Sequence, residues 1–249
     1  MVERRRFESC LGCMNELGSI IANVLTDMPI GCTIGNQRLC LYPQTLGVMY
    51  ITSQLIESLE IDKEHLSENP LLETMRLVKH KRQTCCRIIA YHLSKGKKEI
   101  LDKQHIDTLQ KTIEETDDED ISTLLILILK DNSLEDILKH TGIKKELERM
   151  SKVSEAKDTK NQYIFGGMSI WGSLIDAACE RYGWTFDYVV WEISYANLTL
   201  MMKDKVTSIY LSDNELRRCR VPQTSGDYID GNNREAVMRA VRESEDNPE

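Results

Sequence analysis

Large aromatic side chains, proline and positive charge are all scarce in this sequence. Its 249 residues include only three Trp, three Phe and five Pro. The 40 acidic residues outnumber the 32 basic ones, and the formal net charge is −8. A general nucleic-acid binder needs an excess of Lys and Arg to neutralise phosphates. We therefore expect no nucleic-acid partner.

Long apolar runs are also missing. The longest run covers residues 124–129, whereas a helix that spans a bilayer takes about 20 apolar residues. Arg4, Arg5 and Arg6 could imitate the start of a secretory signal, but Asn15 interrupts the sequence before an apolar core develops. We expect a cytoplasmic protein without a membrane partner.

The sequence lacks a recognisable catalytic or metal-binding pattern. Cys10 and Cys13 form a lone C-x-x-C, whereas zinc sites usually combine two such pairs. Cys85 and His92 share a helix face, but no third residue orients them. The carboxylates at 117–120 are typical of a helix start, where they complement the dipole and supply a cap. We expect no enzyme, no metal and no cofactor, with the cysteines reduced.

One short β-hairpin is predicted within an otherwise helical chain. Residues 30–34 and 38–42 alternate in polarity around Gly35-Asn36, which is a typical hairpin turn. Elsewhere apolar residues recur at steps of three and four. The fold class we predict is mainly α, with a multi-helix N-terminal domain, this hairpin and a small C-terminal helical module.

Capping residues mark several of the helix starts. Thr45, Ser169 and Thr185 each precede an apolar repeat at helical spacing. Asn69 precedes Pro70, which suits the first position of a helix. These local signals predict four helices that begin directly after a capping side chain.

Charge and composition divide the chain into segments. Residues 144–162 carry many charges and few apolar anchors, which favours an exposed helix that fades into a linker. The predicted organisation is an N-terminal helical domain at 1–149 with its hairpin at about 30–42, a charged linker at 150–164, an aromatic-rich helical module at 165–220 and an acidic mobile tail at 221–249.

The scarce aromatic residues are concentrated in one stretch. Two Trp, two Tyr and one Phe fall within residues 184–195. On one continuous helix, Trp191, Tyr195 and Met202 share a face beside that of Phe186 and Val189. Either this helix is the centre of a small core, or one face packs inward while the other receives a partner.

Two parts of the sequence resemble the tail assembly chaperones of long-tailed bacteriophages and prophage elements. One is the hairpin Thr33-Ile34-Gly35-Asn36-Gln37-Arg38-Leu39-Cys40-Leu41 leading into Tyr42-Pro43-Gln44-Thr45-Leu46-Gly47. The other is Tyr182-Gly183-Trp184-Thr185-Phe186-Asp187-Tyr188-Val189-Val190-Trp191. The helical region between 70 and 160 carries no motif of that family.

The resemblance implies a non-catalytic protein of the bacterial host cytoplasm. Such a chaperone binds and solubilises the tape-measure protein during tail assembly, and the tail-tube protein is a further expected partner. The alternative is a structural component of a phage tail or contractile injection particle. The sequence leaves self-association into a homo-oligomer open.

On the chaperone interpretation, the aromatic stretch is the docking surface. Trp and Tyr dominate binding hot spots, and Met gives an adaptable surface. The residues we expect to bind the partner are Trp184, Tyr188, Trp191, Tyr195 and Met202. Thr185 and Asp187 are expected to cap the helix that displays them.

Overall fold

The backbone is mainly helical. The computed structural model describes residues 16–34, 37–130, 133–158 and 165–219. Within these residues the strands form one antiparallel hairpin, which confirms the predicted fold class. The elements are α1 (Glu16–Leu25), β1 (Ile30–Ile34), β2 (Gln37–Leu41), α2 (Leu46–Ser58), α3 (Lys63–Glu68), α4 (Pro70–His92), α5 (Gly96–Leu101), α6 (Lys103–Glu114), α7 (Asp118–Leu129), α8 (Ser133–His140), α9 (Ile143–Ala156), α10 (Ile170–Tyr182), α11 (Phe186–Trp191), α12 (Tyr195–Lys203) and α13 (Asp213–Cys219).

The hairpin is present where the alternating pattern predicts it. Its register runs from Ile30 opposite Leu41 to Ile34 opposite Gln37. Ile34 and Leu41 are buried, so one face of the hairpin covers the helical core. The expected turn residues, 35 and 36, lie outside the described residues.

Local capping chemistry sets the helix boundaries. The side-chain oxygens of Thr45, Asn69 and Ser169 accept hydrogen bonds from the backbone N–H three residues on, at 3.5, 3.2 and 3.1 Å. Pro70 opens α4 directly after its cap. Gly183 ends α10 at a φ of 66°, a left-handed conformation that glycine adopts without steric cost. These helix boundaries confirm the corresponding predictions from sequence.

The long helix α4 lies at the centre of the main core. It packs against α2, α3, α6 and α7, and burying a large apolar side chain contributes about 1.5–3 kcal/mol. Because α4 has neighbours on several sides, side chains on more than one of its faces are buried. The buried residues include Leu77, Val78, Cys85, Cys86, Ile88 and Ile89 of α4, Ile106 and Ile113 of α6, and Ile121, Leu124, Leu125 and Ile128 of α7.

Arg82 of α4 pairs with the acidic start of α7. The guanidinium of Arg82 pairs with the Asp118 carboxylate and donates to the carbonyl oxygens of Glu114, at 3.0 Å, and Thr116. Asp117 occupies the N-cap position but makes no side-chain cap bond. The acidic run thus complements the helix dipole and pairs with Arg82, but Asp117 does not supply the expected side-chain cap.

The chain forms two compact units. The first comprises Met1–Leu147 and Tyr163–Thr207, and the second comprises Glu148–Gln162 and Ser208–Glu249. This grouping differs from the segments expected from composition. Helices α10 to α12 belong with the N-terminal helices because Leu46 of α2 shares a buried cluster with their apolar residues.

A carboxylate organises the described part of the second unit. Glu215 accepts hydrogen bonds from the backbone N–H of Asp158 at 2.6 Å and of Ser212 at 2.7 Å, and from the Ser212 hydroxyl at 2.7 Å. These donors lower the pKa of Glu215 to about 2. The bond from the Ser212 N–H to the Glu215 carboxylate is one of the two bonds of a capping box, and it lies at the start of α13.

A histidine is buried at the C-terminal end of α4. His92 is 2% exposed, and its Nε2 has no hydrogen-bond partner within the part of the chain that the structure describes. Its carbonyl oxygen accepts the N–H of Tyr42 at 2.9 Å, which anchors the end of the hairpin. Burial lowers the pKa of His92 to about 4.

We expect acid to destabilise the fold through His92. An unfolded histidine titrates near pH 6.5, so between pH 6.5 and 4 the unfolded chain binds a proton that the folded chain does not. The free energy of unfolding should therefore fall by about 2 kcal/mol between pH 7 and pH 5 from this residue alone. Urea unfolding at both pH values measures the loss.

His92→Leu should remove this part of the pH dependence. His80→Leu, at an exposed position of the same helix, is the matched control and should retain it. An equal loss of stability in wild type and His92→Leu would contradict the assignment.

Candidate partner-binding surface

The aromatic stretch forms two short helices instead of one. Helix α11 ends at Trp191, and α12 begins after Ser194, whose Oγ accepts the N–H of Asn197 at 3.2 Å. In one continuous helix the N–H of Tyr195 would donate to the carbonyl oxygen of Trp191, but it donates to that of Gln44 at 2.7 Å. The prediction of one continuous helix across this stretch is wrong.

Trp191 packs against α2 through a glycine. A Cβ placed on Gly47 would lie 2.3 Å from Cζ3 of the Trp191 ring, well inside van der Waals contact. The ring is partly buried. Trp191 therefore joins α11 to α2, and only part of its surface remains available to a partner.

Tyr195 and Met202 also face inward in part. Both are partly buried and pack against a second apolar cluster. That cluster differs from the main core around α4, and Leu46 is its contribution from α2. Its buried members are Leu46, Ala178, Val189, Ile193 and Leu198.

Three aromatic rings contact one another in series at the junction of α10 and α11. We call this series, Tyr182, Trp184 and Tyr188, the aromatic ladder. The first two ring centroids are 4.6 Å apart with an interplanar angle of 29°, and the last two are 5.1 Å apart at 59°. The Tyr182 hydroxyl donates to the carbonyl oxygen of Met201 at 3.2 Å. Arg181 lies 5.7 Å from the Tyr182 ring centroid. The ladder is thus fixed to α12 at one end.

The other end of the ladder is open to solvent. Tyr188 is 41% exposed and Phe186, two residues earlier, is 60% exposed. Thr185 is the N-cap of α11 and accepts the N–H of Tyr188 at 3.2 Å. Asp187 lies in the first turn and pairs with Lys97 of α5 at 2.8 Å. Two exposed rings are therefore held on a capped and ion-paired helical turn.

The sequence pattern missed Phe186 and Tyr182. Phe186 was expected on the inward face with Val189, because a single long helix places both on one stripe. In the short helix α11, Phe186 is the first residue and is largely exposed. Its position directly after a capping Thr was the available signal, since first-turn residues often lie at the edge of a packed helix.

A further exposed aromatic lies on α2. Tyr50 is 66% exposed and meets Trp171 edge to face, with centroids 6.3 Å apart. Tyr50 follows Gly47 by three residues, so the helix that receives Trp191 also carries this ring. Aromatic surface thus extends from α10 to α2 within the first unit.

Three buried thiols are poorly suited to nucleophilic chemistry. Burial raises the pKa of Cys85 to about 12 and that of Cys86 and Cys32 to about 11, whereas a reactive cysteine needs a lowered pKa. Among the described residues, no group of three or more His, Cys, Asp or Glu side chains is arranged to hold a metal ion. Nor does any helix described there combine the length and apolarity needed to cross a membrane.

Comparison with known proteins gives no relative: no protein-family model, no curated protein and no solved structure matches the chain.

We expect Gly47→Ala to destabilise the protein by about 1–3 kcal/mol, because the added methyl group overlaps the Trp191 ring. Gly31→Ala is the matched control, since a Cβ there meets nothing within 4 Å. Thermal and urea unfolding measure both. In a double-mutant cycle, Gly47→Ala should cost less in a Trp191→Leu background than in the wild type, because the smaller side chain leaves room for the methyl group. Additive effects would show that the contact is absent.

Proposed function

We propose that this protein is a non-catalytic tail assembly chaperone that binds and solubilises a tape-measure protein. The single observation that carries the proposal is the exposed end of the aromatic ladder. Exposed aromatic rings held on rigid, capped backbone are typical of binding hot spots, where they bury large areas at low entropic cost.

The chemistry of the surface suits an amphipathic helix. Phe186 and Tyr188 offer apolar area beside the charged pair of Asp187 and Lys97. A helix laid across the rings would cover its own apolar stripe in the manner of helix-in-groove recognition. A tape-measure protein is a long helix-former whose apolar stripe aggregates when it is left bare.

Net charge supports a solubilising role. The chain carries a formal charge of −8, and like charge keeps complexes apart in solution. A chaperone that covers the partner's apolar stripe and contributes negative charge keeps the partner soluble until assembly. This identification of the partner rests on the resemblance of residues 33–47 and 182–191 to the chaperone family.

The proposal predicts that the exposed rings carry the affinity. Replacing hot-spot aromatics by Ala costs about 2 kcal/mol, or roughly a thirtyfold increase in Kd. We expect Phe186→Ala with Tyr188→Ala to lose binding to that extent and to leave the tape-measure protein of the same genome in the insoluble fraction on co-expression. Titration of the purified partner measures the Kd.

Tyr210→Ala is the control for this experiment, because Tyr210 is 85% exposed and belongs to the second compact unit. It should bind as wild type does. Circular dichroism and thermal unfolding establish that all variants are folded. Wild-type affinity in the folded double variant would exclude the aromatic ladder as the docking surface, and no binding by the wild type would exclude the chaperone function.

A further inference from the structure

A lysine lies beside the two exposed rings of α11. The Nζ of Lys97, in the first turn of α5, donates to Oδ1 of Asp187 at 2.8 Å. Asp187 stands between Phe186 and Tyr188 in the sequence, and both of those residues are exposed. The positive charge of α5 therefore reaches the helical turn that carries the two rings.

The start of α5 is a basic patch in an acidic chain. Residues 95–98 contain three lysines and no acidic residue, whereas the whole chain has a formal net charge of −8. All three lysines are exposed. The next residue, Glu99, accepts the backbone N–H of Lys95 at 2.6 Å. The three lysines, set against Glu99 and Asp187, leave one positive charge in excess.

The ion pair of Lys97 and Asp187 is accessible to a partner. The Lys97 side chain is 45% exposed and that of Asp187 is 65% exposed. Exposed ion pairs contribute little to stability because water and salt screen them, so one carboxylate exchanges readily for another. An ammonium group carries three N–H donors, and the bond to Asp187 uses one. Lys97 can therefore bind a second carboxylate beside Asp187 or in its place.

We propose that Lys97 selects the partner: Phe186 and Tyr188 bind the apolar face of a helix that carries a carboxylate within one turn of its apolar residues, and that carboxylate binds Lys97. This rests on the part of the proposed function that makes the rings a docking surface for a helix. The charge of the patch identifies the occupant, since an ammonium beside apolar rings matches a carboxylate beside an apolar stripe. A helix without the carboxylate dehydrates Lys97 and offers it no bond in return.

Single-stranded nucleic acid is the other class of partner that brings negative charge to aromatic rings. Its bases stack on aromatic side chains while its phosphates bind lysines. Its row of phosphates must, however, approach a chain with a formal net charge of −8, and Asp187 lies between the residues that carry the rings. A single carboxylate on an apolar helix meets less repulsion, so the surface favours the helix.

Two unlabelled helical peptides of about 18 residues, or five helical turns, test the proposal. Each has a Leu stripe at i, i+3 and i+4 spacing, and they differ at one position beside the stripe, which is Glu in one peptide and Gln in the other. Isothermal titration calorimetry in about 50 mM salt, where exposed charges are only partly screened, measures each Kd. The wild type should bind the Glu peptide at least about tenfold more tightly than the Gln peptide.

Two substitutions break the same ion pair and should change the affinity in opposite directions. Lys97→Gln removes the ammonium, so the preference for the Glu peptide should disappear. Asp187→Asn removes the competing carboxylate, so the Glu peptide should bind at least about threefold more tightly than it does to the wild type. An ion pair that only holds α11 in place would make both substitutions weaken binding. Lys145→Gln, at an exposed position of α9, is the matched control and should behave as the wild type does.

Equal affinity of the wild type for both peptides, or no binding of either, would overturn the proposal. Unchanged or weaker binding of the Glu peptide by Asp187→Asn would do the same, once circular dichroism and thermal unfolding show that this variant is folded. The third contrary result uses a thymine homopolymer of about 15 nucleotides. Its binding by the wild type but not by Lys97→Gln would make nucleic acid the occupant.

The two proposals fail separately. If the peptides bind as expected but the wild type does not bind the tape-measure protein, the selectivity of Lys97 stands and the chaperone function is excluded. If the wild type, Lys97→Gln and Asp187→Asn all bind the tape-measure protein with the same Kd, the chaperone function stands and the selectivity of Lys97 is excluded.

Discussion

The architecture of the first unit depends on residues 44–47, which span the end of the hairpin connection and the first two residues of α2. The side-chain Nε2 of Gln44 donates to the backbone carbonyl oxygen of Ile128, near the end of α7, at 3.2 Å. The backbone carbonyl oxygen of Gln44 accepts the N–H of Tyr195. Thr45 forms a β-bridge with Ser194. Leu46 enters the second apolar cluster, and the following glycine receives the Trp191 ring. Gln44 thus bonds to the carbonyl oxygen of Ile128 near the end of α7 and to the N–H of Tyr195 at the start of α12.

This junction separates the aromatic residues into two classes. Those next to the junction, Trp191 and Tyr195, are drawn inward because backbone bonds and the glycine contact hold their helices against α2. Phe186 and Tyr188, in the first turn of α11, remain exposed although α11 packs against α2 and α10. The same stretch of sequence therefore contributes both to a core and to the surface, and partner binding by the exposed residues stays a prediction.

Local chemistry made much of the fold predictable from sequence. Hairpin turns and N-caps depend on residues within about four positions of one another, so the strands and the starts of α2, α4, α10 and α11 follow from the pattern. The break between α11 and α12 does not, because Tyr195 is bonded to Gln44, which lies 151 positions earlier in the sequence. Periodicity alone describes an uninterrupted helix there, since the apolar residues continue on both sides of Ser194.

The candidate site was predictable in its composition but not in its geometry. Clustered Trp and Tyr indicate the region, yet the ring contacts of the ladder depend on the turn between α10 and α11, where Phe186 is the first residue of the second helix. The grouping of α10 to α12 with the N-terminal helices was not predictable for a similar reason. The sequence around Leu46 indicates only an apolar helix residue, and its contacts with the C-terminal helices are seen only in the structure. Tertiary partners, which no local pattern specifies, decided each of these outcomes.

The contact between Gly47 and Trp191 limits the substitutions that these two positions can accept during evolution. The two positions are separated by 144 residues in the sequence, yet the volume available at one is determined by the ring at the other. During evolution, a larger side chain at position 47 requires a smaller one at position 191, so the two positions should change together. A distant relative with little overall identity would then be recognisable by this coupled small and large pair, placed after a hairpin and at the end of a short aromatic helix.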